Sequence, residues 1–153
     1  MENNLSLKEK IIGTWRLISW VYKNEQGETV DYFGKHPTGI LMYDKSGYMN
    51  AQLTQSERPL FETQAMSDGT DAERVNAFQS YVAYYGTYVE ESPGVIVHFV
   101  KGSLFPNWIG SQQVRHGSVQ DDRLVLRTPL MITKNGNLIF ELTWQRLGEI
   151  ESS

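Results

Sequence analysis

The chain has no cysteine. Disulfides, thiolate nucleophiles and cysteine-based metal sites are therefore excluded. A basic surplus is missing too: 14 Lys and Arg stand against 18 Asp and Glu, a formal net charge of −4. A protein that grips nucleic acid needs a basic face to neutralise phosphates, so no nucleic-acid partner is expected. No apolar run approaches membrane-spanning length, and no membrane partner is expected. Met1 to Lys10 holds no apolar segment of the kind a secretion signal carries, so the cytoplasm is the expected compartment. His36, His98 and His116 are the three histidines, and no pair has His-x-His or His-x-x-x-His spacing. No metal site is expected from them. Gly-x-Gly-x-x-Gly, the Walker loop and Gly-x-Ser-x-Gly are all missing, which disfavours a nucleotide-driven enzyme or a serine hydrolase. No cofactor is expected.

What the chain does have is aromatic residues: four Trp, eight Tyr and six Phe in 153 residues. They favour strands and line cavities. The length suits a single domain over residues 1–153. Strand signals recur at Thr14–Tyr22, Thr29–Phe33, Ile40–Tyr43, Tyr48–Leu53, Tyr84–Val89, Val95–Lys101, Gln112–Val119, Arg123–Arg127 and Leu138–Arg146. Turn residues separate them, among them Asp44-Lys45-Ser46-Gly47 and Glu91-Ser92-Pro93-Gly94. Short strands at this spacing predict an all-β fold, an antiparallel barrel or sandwich. Leu5–Ile12 reads as a short helix, with Ser6 as its cap and Glu9 as the capping-box partner. Asp71–Tyr81 reads as one inserted helix, with Val75, Phe78 and Val82 at helical spacing. Its long excursion predicts a lid, a portal element or a plug for one barrel end.

Gly13-Thr14-Trp15-Arg16-Leu17 resembles the opening strand of lipocalins and related calycins. In that pattern the Trp sits at the closed barrel end, and a basic residue on the last strand packs over it. Arg146, in Trp144-Gln145-Arg146, matches that residue. Three further runs resemble the bacterial and fungal lipocalin-like domain proteins. They are Gly39-Ile40-Leu41-Met42-Tyr43 through Gly47-Tyr48-Met49, Ala83-Tyr84-Tyr85-Gly86-Thr87-Tyr88, and Ser103-Leu104-Phe105-Pro106-Asn107-Trp108. The resemblance spans Ile12 to Leu147, a core of about 12–147. It implies an all-β, single antiparallel lipocalin-like β-barrel of about eight strands that binds a small molecule. Trp15 and Arg146 would form its structural closed end.

Alternation along the strands proposes which side chains meet a ligand. On the first strand, Trp15, Leu17, Ser19 and Val21 share one face. Arg16, Ile18, Trp20 and Tyr22 share the other, and both faces carry large apolar groups. Tyr48 and Gln52 lie on a polar face that is either solvated or a polar cavity wall. Tyr84 shares a face with Gly86 and Tyr88. His98 sits in the apolar run Val95–Val100, where its near-neutral pKa suits acid–base work and its burial suits a satisfied core residue. Arg115 inside a barrel would bind a carboxylate or stabilise an enolate, and outside it would be solvated. Tyr48, Gln52, Tyr84, His98 and Arg115 are the candidate ligand-binding residues. The leading reading is an intracellular protein binding a small, largely apolar ligand. The alternative is a cofactor-independent cyclase or isomerase of a natural-product intermediate, with His98 and Arg115 as its catalytic residues. Ligand contacts are expected away from Trp15, near Ser56–Tyr81.

Overall fold

The fold is seen in a computed structural model, in which residues 4–150 are described. Eleven strands and two α-helices follow in order: α1 (Leu7–Lys10), β1 (Gly13–Lys23), β2 (Thr29–Asp31), β3 (Thr38–Tyr43), β4 (Tyr48–Thr54), α2 (Asp71–Gln79), β5 (Tyr81–Ser92), β6 (Val95–Ser103), β7 (Gln112–Gln120), β8 (Arg123–Arg127), β9 (Met131–Thr133), β10 (Gly136–Leu138) and β11 (Phe140–Leu147). A 3-10 turn, Pro106–Trp108, joins β6 to β7. Eight strands pair antiparallel in the order β11-β8-β7-β6-β5-β4-β3-β1, and β11 pairs back onto β1. The result is a closed all-β barrel of eight strands. β2 adds to β1 at one rim.

Binary patterning fills the interior. On β4, Met49, Ala51 and Leu53 are buried, whereas Tyr48 is 63% exposed. On β5, Tyr84, Gly86 and Tyr88 point inward and Tyr85 is exposed. On β11, Phe140, Leu142 and Trp144 are buried. β1 departs from simple alternation. Trp15 and Leu17 are inside, and the register against β11 then slips between Leu17 and Ser19. The extra residue of such a bulge shifts the strand by one position. Beyond it, Trp20 pairs with Leu142 and Tyr22 with Phe140, both inward residues of β11. The two apolar faces of this strand therefore serve one interior in turn.

Gly86 permits a close approach of β5 and β6. A Cβ there would stand 1.9 Å from the Phe99 carbonyl oxygen.

The two helices differ in role. In α1, the Ser6 hydroxyl accepts from Glu9 N–H at 3.2 Å and the Glu9 carboxylate accepts from Ser6 N–H at 3.0 Å. That capping box starts a single turn whose neighbours Leu7 and Ile11 join the core. α2 has its own box, Thr70 with Glu73, but buries none of its residues. Val75 and Phe78 stay about half exposed, and Arg58 ties the segment down through Ser80 Oγ (2.8 Å) and the Ala77 carbonyl (3.1 Å). α2 thus packs lightly against β5 and contributes no residue to the cavity wall.

Candidate functional site

One end of the barrel is packed shut. The Trp15 side chain is wholly buried, and its indole N–H donates to the Ile11 carbonyl at 2.9 Å. The Arg146 guanidinium lies over the Trp15 ring, with Cζ 4.3 Å from a ring centroid. Its Nη1 and Nη2 donate to the Ile12 and Lys10 carbonyls at 2.9 and 2.6 Å. Gly13 has a positive φ of 132°, and a Cβ at that position would meet Arg146 Nη1 at 3.1 Å. A glycine there suits both the backbone and the stacked guanidinium.

Elsewhere the interior is hollow. A cavity of about 180 Å³ is walled by Leu41, Ala51, Leu53, Leu126 and Leu142, with Trp20, Trp108, Phe140 and Trp144 among its aromatic walls. A dry apolar cavity of about 150 Å³ holds a benzene ring, so this one suits a single substituted ring. Tyr32 and the β9–β10 hairpin, through Met131 and Thr133, complete the wall. Trp108 comes from the Leu-Phe-Pro-Asn-Trp turn and meets Tyr84 edge-on, centroids 5.9 Å apart at 89°. Phe105, from the same turn, stays 41% exposed and packs against Trp108. The concavity beside α1, by contrast, is a groove open to solvent.

Polar groups gather on the wall made by β5, β6 and β7. Tyr84, His98, Gln113 and Arg115 all line the cavity there. His98 is 1% exposed and both ring nitrogens are engaged. Nε2 lies 2.6 Å from the Tyr43 hydroxyl and Nδ1 lies 2.8 Å from the Tyr84 hydroxyl. Burial, and then the Arg115 charge, push the His98 pKa well below its ordinary 6.5. The imidazole is therefore neutral at pH 7. Burial raises the pKa of Tyr43 and of Tyr84, with Arg115 opposing the rise, so both remain phenols. Arg115 Nη1 donates to the Val114 carbonyl at 2.8 Å and Nη2 to Gln113 Oε1 at 3.3 Å. The indole N–H groups of Trp20 and Trp144 are buried without an acceptor among the described residues, and both rings line the cavity.

Of the five ligand-binding candidates read from sequence, Tyr84, His98 and Arg115 share this cavity. Tyr48 and Gln52 do not. They sit on the outer face of β4, and Gln52 accepts a hydrogen bond from Tyr81 there. The aliphatic face of β4 wins the interior because burying it removes more apolar surface from water. The segment 55–81 does not line the cavity either. Tyr43, Gln113, Trp20 and Trp144 were not among the candidates read from sequence, whereas the Leu-Phe-Pro-Asn-Trp run that supplies Trp108 stood out there. The pairings that bring them together are long-range, and Tyr43 and His98 are 55 residues apart. The hairpin had a usable signal in Asn135-Gly136, a turn dipeptide between two short runs.

The closed antiparallel barrel with its Trp–Arg end and internal cavity is that of a lipocalin-like protein. A family model described as a lipocalin-like domain matches residues 12–147, and the chain belongs to that family. Among its relatives is the 4'-hydroxy-3'-methoxypropiophenone carrier protein ppsC of Aspergillus oryzae (strain ATCC 42149 / RIB 40). It is 36% identical over an alignment of 108 residues that covers 65% of this chain and 96% of that protein. Barrel, cavity and relative together support small-molecule binding. Among the described residues, no group of three or more His, Asp or Glu is placed to hold a metal ion, and no helix is long and apolar enough to cross a membrane.

Proposed function

We propose that this protein is an intracellular carrier of a small, largely apolar molecule with one substituted ring. The observation that supports the reading is the cavity of about 180 Å³, aromatic on most sides and polar on one wall. Apolar surroundings supply affinity, and a few placed polar groups orient the guest. The relative named a carrier of an aryl ketone supports the same ligand size. His98 acts here as a positioning residue, because both ring nitrogens are held by tyrosines and neither is free to take a substrate proton. That favours carriage over the cyclase or isomerase reading, which needs a free base.

Three of the four tryptophans line the cavity, so intrinsic fluorescence reports its occupancy. Titration with 4'-hydroxy-3'-methoxypropiophenone should change the emission saturably. Ala51→Leu, which adds bulk to a cavity-lining position, should abolish that change while the protein stays folded by circular dichroism. Undiminished binding in the Ala51→Leu protein would refute the assignment of the cavity as the binding site.

A further inference from the structure

The polar wall carries hydrogen-bond donors that nothing inside the protein uses. A neutral imidazole has one N–H and one bare nitrogen. His98 therefore donates to one tyrosine oxygen and accepts from the other's hydroxyl. Tyr43 is 2% exposed, does not line the cavity, and has His98 as its one hydroxyl partner among the described residues. If Tyr43 were the acceptor, its own proton would be stranded in the core without a partner, which is costly. Tyr43 is thus the donor, to Nε2. Nδ1–H then donates to the Tyr84 oxygen, and the Tyr84 proton is left over. Tyr84 lines the cavity, so that proton serves a guest.

Arg115 adds charge to the same wall. Of its five N–H donors, two go to the Val114 carbonyl and Gln113, and the guanidinium also reaches the Tyr84 hydroxyl oxygen, which leaves donors over. No carboxylate among the described residues pairs with it, and no Asp or Glu lines the cavity. His98 on β6 and Tyr84 on β5 face Arg115 as neutral groups, and Tyr32 is the other titratable side chain on the cavity wall. The unpaired indole N–H groups of Trp20 and Trp144 are further donors in the wall. One unpaired cation, a spare phenol proton and two spare indole protons complement a negative oxygen.

We propose that the guest carries an acidic oxygen, phenolic or carboxylic, and is held as its anion by Arg115 and the Tyr84 hydroxyl. This rests on the carrier reading of the cavity. It predicts that binding makes the guest a stronger acid, since the anion is held and the neutral form is not.

The test uses 4-hydroxyacetophenone, whose phenolate absorbs at longer wavelength than its phenol, and 4-methoxyacetophenone as the control that cannot ionise. Absorbance titration with protein in excess gives the pKa of the bound probe. A fall of at least one unit from the free value is expected, which means the anion binds at least about tenfold tighter than the phenol. Arg115→Gln should abolish the shift and Arg115→Lys should restore part of it, with folding checked by circular dichroism. Tyr84→Phe should reduce it. If both probes bind and the pKa of the hydroxyl probe is unchanged or raised, this proposal fails while the carrier reading stands. If neither probe changes the tryptophan emission, both fall.

Discussion

Arg146 is the point at which the closed end is most open to attack. Its side chain makes three kinds of contact at once. The stack on Trp15, at 4.3 Å, contributes about 0.5–2 kcal/mol. Two charge-assisted bonds, to the Ile12 and Lys10 carbonyls, cost about 1.5–3 kcal/mol each when removed from a site that water does not refill. These groups are only part-buried, so water recovers some of that. The pair with Asp122, at 3.4 Å, has an aspartate that is 69% exposed, and adds less than about 1 kcal/mol. Arg146→Ala should therefore lose about 2–4 kcal/mol of folding stability. Arg146→Lys should recover less than half, because an ammonium cannot stack flat and reach two carbonyls together. Trp15→Ala, which empties a wholly buried site, should lose about 3–5 kcal/mol. Urea denaturation read by far-UV circular dichroism measures each change, and an unchanged slope shows that the unfolded state is not responsible. An Arg146→Ala protein within about 0.5 kcal/mol of wild type would refute the reasoning, and so would a lysine variant as stable as the parent.

Gly86→Ala should destabilise by more than about 2 kcal/mol, because its Cβ would meet a backbone oxygen that cannot step aside. A midpoint in urea equal to that of the parent would contradict the close approach of β5 and β6. His98 should make stability fall with acidity. Its folded pKa lies below the unfolded value near 6.5, so below that pH the unfolded chain takes up a proton that the folded one refuses. This loss is absent above the unfolded pKa, and grows by up to about 1.4 kcal/mol per pH unit as pH drops toward the folded pKa. Glu9 and Glu73, whose pKa values are lowered by the cap hydrogen bonds, add their own losses only below about 4.5. Urea midpoints between about pH 5 and 6.5 should therefore slope downward for the parent and lie flatter for His98→Gln. Equal slopes in the two proteins would sink the neutral-imidazole assignment.

Strands such as β4 and β11 were legible because they have period two and are bounded by turns that their residues dictate, whereas β1 departs from that period. Asp44-Lys45-Ser46-Gly47 closes a hairpin with Gly47 at φ 103°, as its composition suggests. The interior was only partly legible. Tyr48 and Gln52 share a polar face, and no local pattern says whether such a face meets water or a cavity. The competition with Met49, Ala51 and Leu53 decides it, and that is a property of the closed barrel. His98 stood out as an isolated polar group in an apolar run. What it does depends on Tyr43 and Tyr84, brought to it from β3 and β5. The outer position of α2 has a similar cause. Helical spacing of Val75 and Phe78 signals a helix, and only the tertiary structure shows that it buries none of its residues and stays off the cavity wall.

β1 joins the two halves of this molecule. Its first inward tryptophan, Trp15, is locked by a hydrogen bond and an arginine, and leaves no space beside it. Its second, Trp20, has no acceptor for its N–H among the described residues and borders the cavity. Trp20 lies five positions after Trp15, an odd offset that would put them on opposite faces of a regular strand. The bulge after Leu17 changes the parity and turns both inward. Without it, Trp20 and Tyr22 would face solvent, and Ser19 and Val21 would stand opposite Leu142 and Phe140. The barrel would then lose aromatic wall from the part that binds, while the Trp15 end stayed intact. A one-residue irregularity thus lets a single strand supply both a rigid plug and a wall with an unsatisfied donor.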